Sequence, residues 1–199
     1  MGKAIGVFLF QIHPMSIRTA IIPVGLVLLL AACNINRSED AMKLSNRVAA
    51  VNDSLTFYGK QWNDELEIAV NAKDFSHLPE IRGAMQDYIQ RRMVDVRTMH
   101  DVGGSEDLRN AELGLLQFDQ DSILPKLTVF EGFDNTVQIE PLSNAYSALW
   151  GSFKNEQPRL KLVDTLMNKY ADANDFPKRV DPFPANPTID SMQRPVSGN

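Results

Sequence analysis

One thiol, a few histidines and a surplus of carboxylates are the side chains of this 199-residue chain whose types could do chemistry. Cys33 is the only cysteine, so no internal disulfide is open to it, and a lone thiol in an exported chain points to covalent modification. Leu30, Ala31 and Ala32 stand directly before it, and the two alanines are small enough to let a processing protease reach the backbone. Beyond that cysteine the histidines are His77 and His100, and neither sits in a metal-ligand pattern. Helical di-iron sites need Glu-x-x-His on two helices. Asp74 to His77 matches only the spacing, and it does so in a turn. The zinc-hydrolase signature, the Gly-x-Ser-x-Gly elbow and the phosphate loop are all missing, since no Gly-Lys-Ser/Thr follows Gly103 and Gly104. No catalytic residue, metal ligand or cofactor is expected, and the chain reads as a non-enzyme.

Two weaker constellations remain. Asp53, Asp64, Glu65 and Glu67 lie close together on one helix, where an inward-facing pair could hold a cation or act as acid and base; a solvated face is the expected reading. Tyr58, Trp62, Tyr88 and Phe118 are candidates to line a ligand pocket between helices, although aromatic residues at helical spacing commonly pack as core. Four triplets, at Asp53, Asp121, Asp164 and Asp190, are similar to an O-glycosylation acceptor motif, and only Ser191 in the last lies in a segment expected to be mobile.

Position in the chain gives Cys33 its meaning. Arg18 precedes a charge-free apolar run of about 14 residues, the layout of a secretory signal and short of the ~20 residues a helix needs to cross a bilayer. Leu30-Ala31-Ala32-Cys33 resembles the lipobox of bacterial lipoproteins. That resemblance implies diacylglycerol on the thiol, cleavage before Cys33, and a membrane as partner through this lipid. Translation from Met15 would give a signal of ordinary length. Residue two after cleavage is Asn34 rather than the aspartate associated with inner-membrane retention, so in a Gram-negative cell the outer membrane is expected.

Removing residues 1–32 takes away Lys3 and Arg18 and no acid, so 18 of the 20 basic residues face 25 acidic ones, a net charge of −7 over 167 residues. This balance disfavours nucleic acid, whose binding needs clustered cations to displace counterions. The length suits one domain.

Elements that position these side chains follow from periodicity. Apolar residues at Leu44, Val48, Val51, Leu55, Tyr58, Trp62, Leu66 and Val70 recur every three or four positions, the stripe of an amphipathic helix. This predicts a first helix over 38–73, capped by Ser38. A turn at 74–76 leads to a second helix, marked by Leu78 to Met99 and stopped by Gly103 and Gly104. Ser105, Glu106 and Asp107 open a third, kinked at Pro125 and fading near Gly132. A fourth stripe runs from Leu142 to Tyr170 and is interrupted at Pro158, as one kinked helix or two short ones. The expected fold is all-α: an up-down-up-down four-helix bundle over 38–176 with kinked third and fourth helices, behind a lipidated tether at 33–37. Five prolines in residues 177–199 predict a flexible tail. One interior glycine per helix, Gly59, Gly83, Gly114 and Gly151, marks either a close backbone approach or simple tolerance.

A lipobox, a long first helix, a glycine-marked turn before the third helix and a last helix ending Asn168-Lys169-Tyr170-Ala171-Asp172-Ala173-Asn174-Asp175-Phe176 together resemble helical-bundle lipoproteins of Bacteroidetes and spirochaetes. Families of that kind are of unknown function. The resemblance implies location and fold and supplies no activity; the lack of reactive groups points to an envelope lipoprotein presenting a helical surface to another protein or to the cell wall, ahead of an enzyme working through carboxylates alone. A small-ligand carrier with a cavity between its helices is the alternative.

Overall fold

The computed structural model describes the backbone over residues 21–179 and side chains over 37–179. The expected start at Met15, the tail beyond 179 and Ser191 lie outside the described residues, as does the side chain of Cys33. The chain divides into two compact units, residues 1–36 and residues 37–199.

The fold is all-α, a four-helix bundle, and no strand occurs among the described residues. α1 spans Ile21–Ala72, α2 Leu78–Thr98, α3 Glu106–Phe118, α4 Leu124–Glu131 and α5 Ile139–Ala173. A single π turn, Asp119–Ile123, joins α3 to α4, so that these two and the turn form the third rod of the bundle.

The stripes pack as their spacing predicts. Leu44, Val48, Val51, Leu55, Trp62 and Leu66 of α1 are buried, as are Leu78, Met85, Ile89, Met93 and Val96 of α2. Most of them join α4 and α5 residues in one core cluster; a second forms from Ala41, Leu44 and Val48 with Leu108, Leu115, Val163 and Tyr170. Each fully buried Leu or Phe stabilises the fold by roughly 1.5–3 kcal/mol. Trp62 meets Phe130 edge-on at 5.2 Å, and Phe130 meets Phe133 likewise at 5.8 Å. Arg82 of α2 pairs with Glu131 at the end of α4 and also donates to Gln86 Oε1 at 2.7 Å.

Turns follow local chemistry. Ser76 N–H donates to Asp74 Oδ1 at 3.0 Å, and Thr136 N–H to Asp134 Oδ1 at 2.8 Å, which closes the connections before α2 and α5; the Ser76 and Thr136 hydroxyls first, and these N–H groups second, hold the two carboxyls below their ordinary range. Pro79 in the first turn of α2, with Glu80 beside it and Arg97 in the last turn, fits the helix dipole.

Several boundaries differ from those the sequence suggests. Ser38 caps nothing; it lies inside α1, and its hydroxyl donates to the Asp175 carbonyl at 3.2 Å. α2 ends at Thr98, ahead of the glycine pair, because Met99 turns extended (φ −61, ψ 128). The loop that follows is tied by Asp101, whose Oδ1 accepts from Ser105 N–H at 2.7 Å and from the Ser105 hydroxyl at 2.9 Å. Gly103 and Gly104 sit in this loop with φ +59 and +79. There Asn174 Nδ2 donates to Gly103 O at 3.1 Å and to Tyr170 O at 2.9 Å, and the Tyr170 hydroxyl donates to Val102 O at 2.6 Å. Burial and the nearby Asp101 charge push the Tyr170 phenol up to about 12.

The third rod departs from regular α geometry through the π turn, which ends just before Leu124 and Pro125. Pro158 does not split the last helix: α5 runs through it, and the Arg159 guanidinium donates to the Asn155 carbonyl at 2.7 Å, one position along from the bond proline cannot make. A Cβ added at Gly59, Gly83, Gly114 or Gly151 would meet nothing within 4 Å. Close approach is therefore not their reason, and these glycines are simply tolerated.

Candidate functional site

The least ordinary chemistry lies inside the third rod. Glu112, on α3, is fully buried, and so, to within 1 %, is Asp119 at the start of the π turn. Helical spacing places them there: Glu112 is four residues from both Leu108 and Leu116, and Asp119 is four beyond Leu115, all three leucines being buried. Neither carboxyl oxygen of Glu112 has a hydrogen-bond partner of good geometry, and Asp119 Oδ1 has none either.

Removing a carboxylate from water without supplying donors disfavours the charged form strongly. Burial pushes Glu112 up to about 8, offset in part by the Asn52 amide of α1. Asn52 Oδ1 also lacks a donor, and the neutral acid form of Glu112 is what could supply one. Asp119 is raised as well, by burial first and then by the charges of Glu156 and Glu112, with Arg159 opposing. Glu156 of α5 is half-buried and is raised by its own desolvation, with Asp119 opposing that shift in part. The guanidinium carbon of the exposed Arg159 lies over the Phe118 ring, 4.1 Å from its centre.

Among the described residues no group of three or more His, Cys, Asp or Glu side chains is placed to hold a metal ion.

The residues that the sequence singles out lie elsewhere. Tyr58 and Tyr88 are in contact at 5.4 Å, Trp62 is buried against Phe130, and Phe118 lies under Arg159; all four pack in or against the larger core cluster. Of them, Tyr88 borders an open cavity of about 240 Å³ between α1 and α2, together with Arg47, Ser54 and Arg92. Arg92 stacks on Tyr88 at 5.2 Å and pairs with Asp95 at 2.7 Å. The α1 acids are solvated: Asp64 pairs with Lys60 at 2.5 Å and Asp53 with Arg179 at 2.6 Å, while Glu65 is half-buried and Glu67 exposed. His77 and His100 are exposed, His100 two residues beyond the end of α2.

The carboxyls inside the bundle are thus Glu112, Asp119 and Glu156, which sequence reasoning passed over. Their signal was present, because Glu112 and Asp119 fall within the stripe marked by Leu108, Ala111, Leu115 and Phe118. The chain matches no known protein family, and no similar curated protein or solved structure is found.

Proposed function

We propose that this chain is a lipoprotein of the cell envelope, held on a membrane by lipid on Cys33, whose helical body is non-enzymatic and offers its surface to another envelope protein or to the cell wall. The observation that carries this reading is the distance between anchor and body. The larger compact unit begins at Arg37, four residues after Cys33, and its first fully buried side chain is Ala41. A product cut before Cys33 would keep every residue that the core uses and a short tether besides. No helix among the described residues is long and apolar enough to cross a bilayer, and lipid attachment requires none. In a cell with two membranes, Asn34 favours the outer one. On the body, Phe57 and Ile68 stand exposed three turns apart on one face of α1, apolar groups available to a partner.

The test is metabolic labelling with palmitate in a bacterium that processes lipoproteins. Label is expected on the native chain and not on Cys33→Ala; label persisting on the variant, or a mature N-terminus elsewhere, refutes the anchor.

The cavity beside Tyr88 favours a second reading, a small-ligand carrier. Native mass spectrometry of the purified protein separates the two, since a carrier retains a bound small molecule and a scaffold does not.

A further inference from the structure

Three facts about the third rod belong together. Its inward face carries two carboxyls, Glu112 and Asp119, in positions that ordinary packing would give to leucine or alanine. One of these, Asp119, is the first residue of the π turn and has a bare oxygen. The same turn is the one stretch of the rod with i→i+5 bonding, which is rare in helices and concentrates at working positions.

The surroundings offer these groups little charge. From α2 come apolar inward residues such as Met85, Ile89 and Met93, and from α4 Leu124, Leu127 and Phe130, while the charged Arg82 of α2 and Glu131 of α4 are paired with each other. α1 supplies the uncharged amide of Asn52 to Glu112. α5 supplies Glu156 and, outside it, Arg159, the one cation whose field reaches Asp119. A negative charge on Asp119 inside the closed rod would thus face two further carboxyls and a single, solvent-exposed guanidinium.

We infer that Glu112, Asp119 and Glu156 form a proton-binding site whose occupancy controls the π turn: with protons bound the third rod closes over the core, and proton release to solvent opens residues 119–124. Local opening is the cheaper route to hydration, because the turn departs from the regular α bonding on either side of it and Asp119 lies at its edge. The site is independent of how the chain is anchored.

Hydrogen exchange on the full lipidated chain in detergent, corrected for the intrinsic pH dependence of amide exchange and followed from pH 6 to pH 9, tests this. Amides 117–126 are expected to lose protection by up to roughly tenfold per pH unit for each proton released, while amides in α1 and the second half of α5 keep theirs. Asp119→Asn, which cannot ionise, is expected to hold the segment protected at pH 9; Glu112→Gln, placed one rod position earlier, is expected to flatten the slope in part and serves if the first variant misfolds. Unchanged protection of 117–126 in the native chain overturns the inference. So does a slope that survives in both variants, or a loss of protection spread evenly over the whole bundle.

Discussion

Replacing Gly103 with alanine probes how the loop after α2 is locked onto the end of α5. Two costs add. Gly103 holds φ +59, where a side chain meets its own backbone at roughly 1–2 kcal/mol. Its new methyl would also sit 2.1 Å from Asn174 Oδ1 and 2.8 Å from Asn174 Cγ, so the amide must swing away. That movement breaks the Asn174 bonds to Gly103 O and Tyr170 O, each worth about 1 kcal/mol, inside a site where Asn174 is only 6 % exposed. The expected loss is about 3 kcal/mol, or roughly 6–12 °C in Tm for a domain of this size. Urea and thermal unfolding of Gly103→Ala, Asn174→Ala and the double variant measure it. Because the first substitution already costs the asparagine its bonds, the double variant should fall well short of the sum. Gly104→Ala, at φ +79 but in open space, should lose only the backbone part. A Gly103→Ala chain within about 0.5 kcal/mol of the native one, or strict additivity in the cycle, would refute the lock.

Other substitutions follow from the same structure. Glu112 has its folded-state value raised from 4.5 to about 8, so the stability it permits is complete below about pH 4.5 and drains away as pH climbs toward 8. Glu112→Gln should therefore gain about 3 kcal/mol over the native chain at pH 7 and little at pH 4, read by denaturant midpoints; an equal effect at both values would count against a buried neutral acid. Leu115→Ala and Phe130→Ala, both at fully buried positions, should cost about 2–5 kcal/mol in the same assay. Alanine at Gly59, Gly83, Gly114 or Gly151 should raise stability by up to ~1 kcal/mol each, and a loss at any of them would mean a neighbour lies closer than the structure places it.

What the sequence made legible was periodic. The stripe of α1 gave most of its buried face, with Val70 left exposed, and that of α2 gave the direction of its face while passing over the buried Ile89 and Met93, because a repeat of three and four positions fixes a face more closely than its edges. Stops were harder. Gly103 and Gly104 looked like a helix end, yet the stop at Thr98 is made by Met99 going extended, and the glycines serve a loop whose partners, Tyr170 and Asn174, lie about 70 residues further on. No local reading contains that contact. Pro158 left two readings open, one kinked helix or two short ones, and the structure has one helix, since a helix anchored on both sides by Leu149 and Val163 can carry one missing bond. The carboxyl cluster was legible in position and hidden in consequence: Glu112 and Asp119 lie within the α3 stripe, but an acid near an apolar face normally turns its head outward. Asp53 and Asp64 belong to the stretch of α1 densest in acids, and density on a helix is the mark of a wetted side.

The π turn has one more consequence, which concerns the reading frame of the rod. Each residue turns an α-helix by about 100°, so one residue too many or too few swings everything downstream by that angle. Leu124, five positions after Asp119, shares its inward direction only because the wider turn absorbs the surplus residue. Deleting a single residue between 119 and 123 would remove that surplus and let the segment wind as ordinary helix with Leu127 and Phe130 still turned inward, whereas winding all five residues as α-helix would carry both round toward water and take Phe130 from Trp62. The turn is thus the hinge point of a phase, and the whole far half of the rod is set by it.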